Sequence, residues 1–282
     1  MTSLRHLLHA PEILVAPGVY DGTGARLAQA AGFRALYVSG FQTAASALGL
    51  PDVGYVTMTQ MLRRVEAICD VAGVPVIADA DTGYGNPLSV RRTVRAWERA
   101  GAAALHIEDQ TSPKRCGHML GRDVIPAADM VQKVRAAVDA RRDDDLVIIA
   151  RTDARTTRGL NEAIDRAAAY HEAGADLLFI ESPESLDEMR RIAEAFRGVV
   201  PVLSNQIEGG RTPLPGVAAL QEMGYSLALF SLGTAFAAAK GMEAYLRALA
   251  AGSAPPAMTG FDEFNALVGL EEHTALDARY TG

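Results

Sequence analysis

A punctuated unit repeats along this chain: a helix-like segment stops at a glycine, and a short apolar run begins at once. It recurs as "AAGFRALYVSG", "VAGVPVIADAD", "RAGAAALHIED", "EAGADLLFIES", "FRGVVPVLSN" and "EMGYSLALFSLG". Glycine tolerates the left-handed conformation that ends a helix, so Gly32, Gly73, Gly101, Gly174, Gly198 and Gly224 read as C-terminal stops. Two further runs, "EILVAPGVYD" and "DDLVIIARTDA", supply strands without that glycine and bring the strand count to eight. The runs are continuously apolar, as parallel strands covered on both faces must be. Helical spacing fills the gaps, with Val90, Val94 and Trp97 on one face and Ile164, Ala168 and His171 on another.

Eight β-then-α units predict an α/β protein, a (β/α)8 TIM-type barrel occupying residues 1–282 as one domain, favoured over a doubly wound open sheet. Thr234 to Ala251 reads as the last barrel helix, and "GFDEFNALVGLEEHTALDARY" as short helices after it, so residues 235–282 form a C-terminal helical extension. With 34 acidic against 27 basic residues, a net charge of -7 and no basic block, nucleic acid is not the expected partner. The opening "MTSLRHLLHAPEILVAP" is too interrupted for a signal peptide, and "LALFSLGTAFAAA" falls short of the roughly 18 to 20 residues that span a bilayer. Two cysteines are too few for a disulfide framework, and the expectation is a cytoplasmic protein without a membrane partner.

In such barrels chemistry collects at the C-terminal ends of the strands. Those ends read "YVSG", "ADADTGYG", "HIEDQ", "ARTDA", "IES" and "LSNQIEGG", with the first and eighth strands contributing less. Residues two apart on a strand share a side, so Asp79 and Asp81 are expected to converge, with His106 and Glu108 together on the next strand. Three clustered carboxylates call for a cation, and oxygen ligands favour Mg2+ or Mn2+; the alternative is pairing with arginines or loop amides. Arg151 and Asp153 alternate in the same way. Arg151 is suited to two-point capture of a carboxylate or phosphate, or else to a structural pairing with Asp153 or Glu181. Cys116 stands in "SPKRCGHML" beside Lys114, Arg115 and His118, cations that would favour its thiolate and let it exchange a proton near neutral pH. Gly117 and Gly121 would let the segment from Gln110 to Arg122 open and close. Cys69, on an apolar helical face, reads as core.

Together "YVSG", "LGLPDVG", "DADTGYGN", "HIEDQ", "KRCGH", "ARTDA" and "NQIEGG" resemble the isocitrate lyase / phosphoenolpyruvate mutase superfamily, from "PGVYD" to "FDEFNALVGL". The resemblance implies a barrel with Mg2+ at the strand mouths and a mobile loop carrying Cys-Gly-His over a small carboxylate substrate. It also implies a homotetramer whose subunits exchange the last barrel helix. Carried over, Asp79 matches the principal metal carboxylate, with Asp81 and Glu108 near the ion. Tyr37, Ser39, Gly40, Asp52, Gly117 and Asn205 match the substrate-binding set, and Arg151 and Glu181 further substrate contacts. In the lyase branch the cysteine at Cys116 is the acid, accompanied by Lys114 and His118.

The expected reaction is cleavage of a carbon–carbon bond in a 2-hydroxy di- or tricarboxylate, releasing a 2-oxo acid and a carboxylate. The base is left open among metal-bound water, Tyr37 and Glu181. Phe236 and Phe261 stand where the 2-methylisocitrate-cleaving branch is expected to place arginines for a third carboxylate. An aromatic ring cannot compensate a desolvated carboxylate, which favours a substituted malate such as 2,3-dimethylmalate. Phosphonomutase-type phosphorus–carbon chemistry, oxaloacetate hydrolysis or decarboxylation, and a non-catalytic dicarboxylate-binding barrel are the alternative readings.

Overall fold

In the computed structural model, which describes residues 2–119 and 121–281, eight parallel strands close into a barrel in sequential order. They are β1 Leu14–Val19, β2 Leu36–Val38, β3 Val76–Asp79, β4 Ala104–Glu108, β5 Val147–Thr152, β6 Leu177–Ile180, β7 Val202–Gln206 and β8 Leu227–Phe230. Each of the eight apolar runs read from the sequence is one of these strands. Closure through β1 and β8, Leu14 opposite Leu227, leaves no unpaired edge.

Two apolar layers result. Leu14, Ala16, Ile77, Ile149, Leu177, Leu203, Leu227 and Leu229 fill the barrel interior. A short helix, Leu4–Leu8, which the sequence reading did not anticipate, adds Leu4, Leu7 and Leu8 to that cluster. The outward strand residues bury against the surrounding helices, where Val90, Val94 and Trp97 pack as expected. In the helix Leu160–Glu172 the buried face is Ala163, Ala167 and Tyr170; Ile164, Ala168 and His171 are only half-buried, one residue off the predicted stripe.

Five of the six predicted helix-stop glycines have positive φ, from 73° at Gly198 to 105° at Gly174. Gly73 does not; its N–H instead donates to the Gln29 side chain, so a local contact substitutes for the left-handed stop. The last barrel helix runs Gly233–Ala250, and Phe261–Leu267 and Leu270–Thr281 follow it. None of these three helices buries a residue, and Phe236 and Phe261 are 43% and 83% exposed. Among the described residues no helix is long and apolar enough to cross a membrane.

The register sets the rim. Asp79 stands opposite His106, and Glu108 opposite Arg151, so neighbouring strands deliver their polar ends at one level.

Candidate active site

The mouth of the barrel holds a cavity of about 30 Å3. Its floor is aromatic: Tyr37 stacks on His106 at 5.7 Å, the Phe179 ring meets His106 edge-on at 5.8 Å, and the Arg151 guanidinium lies 4.9 Å from the Phe179 centroid. Tyr37 Oη and His106 Nε2 are 2.8 Å apart. Burial lowers His106 to about 4 despite the opposing pull of Asp79, so the imidazole is neutral. Burial, reinforced by Asp79, pushes the Tyr37 hydroxyl well above its ordinary range.

The walls carry charge. Lys114 Nζ lies 2.8 Å from Asp52 Oδ1 and 2.7 Å from Asp81 Oδ1, and these anions outweigh the effect of burial to hold the ammonium firmly protonated. Burial raises Asp81 to about 6, with Lys114 offsetting only part of the cost and Asp79 and Asp52 adding repulsion. Asp79 is lowered to about 2: burial works upward, but His106, Lys114 and the Asp81 N–H, which donates to Asp79 Oδ1 at 2.9 Å, overcome it. Glu108 is pushed well above the carboxylate range by burial that Arg151, 3.2 Å away, does not fully compensate. Its Oε1 is buried without a hydrogen-bond partner among the described residues. Arg151 is gripped by Asp153 through Nε at 2.9 Å and Nη2 at 3.0 Å, and approaches Glu181 Oε2 at 3.3 Å. Burial would raise Glu181, but Arg151 and His118 prevail and hold it well below the usual range.

A folded-over loop roofs the cavity. Its stem is pinned by a bridge between Gln110 and Val124 and by the Thr111 N–H donating to Asp123 O at 2.9 Å. The Gln110 side chain accepts from Arg115 N–H and donates to Arg115 O, both at 2.9 Å, holding the turn that presents Cys116. The Cys116 N–H donates to Asp52 O at 3.0 Å. Gly117 O accepts from Ser182 Oγ at 2.9 Å. A Cβ on Gly117 would stand 2.4 Å from Arg151 Nη2 and 2.5 Å from Glu181 Cγ, so only glycine permits this approach. His118 Nδ1 accepts from the Arg211 N–H at 2.9 Å, which leaves the hydrogen of a neutral ring on Nε2, 3.2 Å from Glu181 Oε1.

A family model described as phosphoenolpyruvate phosphomutase matches residues 4–250. The chain belongs to the phosphoenolpyruvate mutase / isocitrate lyase superfamily. A 2,3-dimethylmalate lyase of Eubacterium barkeri is 47% identical over 281 residues, covering 98% of this chain and 96% of that protein. A 2-methylisocitrate lyase of Aeropyrum pernix is also 47% identical, over 86% of this chain and 78% of its own length. The solved structure of an oxaloacetate acetylhydrolase with 3,3-difluorooxalacetate superposes with a TM-score of 0.95 at 37% identity, covering 99% of this chain and 96% of that one.

In this superfamily member Tyr37, Ser39, Asp52, Asp79, Glu108, Lys114, Cys116, Gly117, His118, Arg151, Glu181 and Asn205 all line the cavity. Asp81 and Gly40 stand behind that lining rather than in it, and several residues are placed differently from expectation. Asp81 reaches Asp79 through a left-handed turn at φ 46°, not through strand pleating, because β3 ends at Asp79; Asp153 likewise lies beyond β5. The Gly40 N–H, expected for a substrate carboxylate, donates to Asp79 Oδ2 at 3.0 Å, and a Cβ there would stand 2.6 Å from that oxygen. Asn205 donates to Glu181 Oε2 and accepts from Ser231, and Asp52 faces Lys114. Asp79, Asp81 and Glu108 share the rim, but Lys114 and Arg151 stand against them, and no three His, Cys, Asp or Glu side chains among the described residues close into a cage.

The largest revision concerns Cys116. Its thiol is pushed up to about 11 by burial, with Asp52 and Glu181 adding to the shift and a His118 N–H bond opposing it. Lys114, predicted to favour the thiolate, is committed to Asp52 and Asp81, so Cys116 carries its proton at neutral pH. Leu120, inside the predicted moving segment, lies outside the described residues. Phe236 and Phe261 are not part of this chain's own cavity. Cys69 is half-buried against the outer core, as read. Phe41, Ile207, Ser231 and Leu232 also line the site and were not singled out beforehand; the position of Ser231 directly after β8 was the available signal.

Proposed function

We propose that this chain is a carbon–carbon lyase that cleaves a substituted malate to a 2-oxo acid and a carboxylate. The observation that carries the reading is a buried thiol, Cys116, in the roof of a cup whose walls carry charge, lining one cavity with the residues suited to hold a dicarboxylate. Arg151, fixed by Asp153, offers its remaining N–H groups to a substrate carboxylate. A base at the rim takes the proton of the 2-hydroxyl, the oxygen's electron pair forms the carbonyl, and the bond to the adjacent carbon breaks. The electron pair left on that carbon takes the proton of Cys116, whose thiolate is regenerated to thiol by the hydroxyl proton or by solvent. Of the two side chains considered as the base, Tyr37 holds its proton and Glu181 is ionised but bonded to Arg151 and Ser182. Gly117, closed against Arg151 and Glu181, excludes water while the carbanion lasts.

The donor set fits Mg2+, or Mn2+ in its place. Asp79, Asp81 and Glu108 offer only oxygen, Asp81 and Glu108 are raised by burial that Lys114 and Arg151 do not fully offset, and Glu108 Oε1 has no partner among the described residues. When bound, the ion would supply charge stabilisation to the 2-hydroxycarboxylate end of the substrate.

A short diacid suits the small cavity and its apolar wall of Phe41, Ile207 and Leu232. The expected result is turnover of 2,3-dimethylmalate with Mg2+, with one deuterium in the released carboxylate in D2O. Cys116→Ala should lose about 10²–10⁴ in kcat. A clear preference for 2-methylisocitrate would refute the choice of substrate. Likeness to the oxaloacetate acetylhydrolase supports a second reading, oxaloacetate hydrolysis, which release of oxalate would reveal. The uncovered apolar side chains of Gly233–Ala250, among them Met242, Leu246 and Leu249, support packing of this helix on another copy within a homotetramer, and sedimentation velocity measures that state.

A further inference from the structure

Arg122 belongs to none of the roles above, yet it is the most completely buried cation of the roof. Its side chain is 1% exposed and pairs with Asp153, at 0%, through Nη1 to Oδ1 at 3.0 Å. Its Nη2 donates to Thr156 Oγ1 at 2.7 Å. Asp153 Oδ1 also accepts from Arg151 Nη2, and Oδ2 from Arg151 Nε, so one carboxylate joins two guanidiniums. One comes from the strand end that faces substrate. The other comes from the stem of the loop that carries Cys116, one residue before Asp123 and its bond to Thr111.

Asp153 is pinned through its backbone, and its carboxylate is held by the two arginines. Its N–H donates to Asp109 Oδ1 at 2.9 Å, and Asp109 Oδ2 accepts from Thr152 Oγ1, Tyr170 Oη and Arg166 Nη1 at 2.7, 2.8 and 3.2 Å. The pair therefore links a rigid anchor to a loop stem. Arg151 already gives Asp153 two hydrogen bonds, while it also stands against Glu108 and Glu181. A second arginine at the same oxygen makes the direction of the Arg151 fork and the placement of the loop stem depend on each other.

We propose that Arg122 is a positioning residue: through Asp153 it couples ligand engagement at Arg151 to closure of the Cys116 loop. The proposal rests on the reading of Arg151 as the substrate-carboxylate residue. Its content is distinct, because it predicts that the coupling between binding and closure can be removed at a residue that touches no substrate. Arg122→Met keeps most of the buried stem and leaves Asp153 paired with Arg151. Arg122→Lys keeps the charge but can reach only one of Asp153 and Thr156.

The test uses the full-length protein in Mg2+ buffer with oxalate, a planar dianion, as the probe. Two quantities are read, the oxalate Kd by calorimetry and the alkylation rate of Cys116 by iodoacetamide, followed by peptide mass spectrometry with and without saturating oxalate. The wild type should bind oxalate and slow alkylation by at least about tenfold. Arg122→Met should lose most of that protection at saturating oxalate and, because the coupling is reciprocal, weaken oxalate binding by about the same factor, roughly tenfold, and Arg122→Lys should restore part of both. Protection in Arg122→Met equal to wild type overturns the coupling. So does loss of affinity with full protection at saturating oxalate, the result of a pair that only orients Arg151. Failure of the wild type to bind oxalate removes the Arg151 reading and the coupling with it, whereas binding without coupling removes the coupling alone.

Discussion

Replacing Gly117 by alanine tests the closed roof with a single methyl group. Built on the existing backbone, that carbon stands 2.4 Å from Arg151 Nη2 and 2.5 and 2.7 Å from Glu181 Cγ and Cδ, where ordinary contact needs about 3.5 Å. The loop must retreat by roughly 1 Å. Neither neighbour can give way, since Arg151 is held by Asp153 and Glu181 by Arg151, Ser182 and His118. Retreat of the loop also stretches the bond between Gly117 O and Ser182 Oγ and carries Cys116 with it. A displacement of about 1 Å at a reacting group costs on the order of 10²-fold, or about 2.7 kcal/mol of transition-state stabilisation. Global stability should change by less than about 1 kcal/mol, because the loop can swing outward without opening the core. The assay is steady-state turnover of 2,3-dimethylmalate beside thermal unfolding. An alanine variant with more than about one-tenth of wild-type kcat would refute the reasoning, since it would show that turnover does not need the observed approach.

Other consequences are open to direct measurement. Alkylation of Cys116 in the ligand-free protein should be slow at pH 7.5 and climb about tenfold per pH unit toward pH 11. Closure raises this pKa, so the closed loop is favoured below the ordinary thiol range and loses up to about 100-fold of its advantage as the pH rises toward 11; a plateau near pH 8 would contradict the burial argument. Gly40→Ala should push Asp79 Oδ2 aside and weaken Mg2+ binding about 10- to 100-fold by calorimetry, while unchanged affinity would exclude Asp79 from the ion's ligands. Asp109→Ala removes a buried acceptor from Arg166, Tyr170 and Thr152 and should cost about 3–5 kcal/mol in urea denaturation, against about 1 kcal/mol for Tyr170→Phe. Equal costs for the two would show that the carboxylate is not the keystone of that network.

Much of this architecture was legible because it depends on local rules applied many times. Glycine stops, continuous apolar runs and helical spacing identify eight parallel units. Parallel strands joined by right-handed crossovers necessarily put all their C-terminal ends on one side. That rule alone brings Asp79, Glu108, Arg151, Glu181 and Asn205 to a common rim, whatever the details of packing. It fails where the chain leaves the strand. Asp81 lies in a turn beyond β3 and Asp153 at the helix cap beyond β5, and the one-residue error on the helix Leu160–Glu172 arises because Ala, Ile and His do not mark a face as sharply as Trp97 does.

The order of strands, the side of the barrel that does chemistry and the residues that gather there were thus determined by the chain itself, through periodicity and strand direction. Only the tertiary structure decided how those residues divide their bonds. Lys114 is spent on Asp52, 62 positions away, and the Gly40 amide on Asp79. The thiol of Cys116 keeps its proton because burial outweighs the cations that stand beside it in the sequence. Charge, protonation and hydrogen-bond commitment depend on distances of a few tenths of an ångström and on desolvation. Both are properties of the folded packing, and no spacing along a chain encodes them.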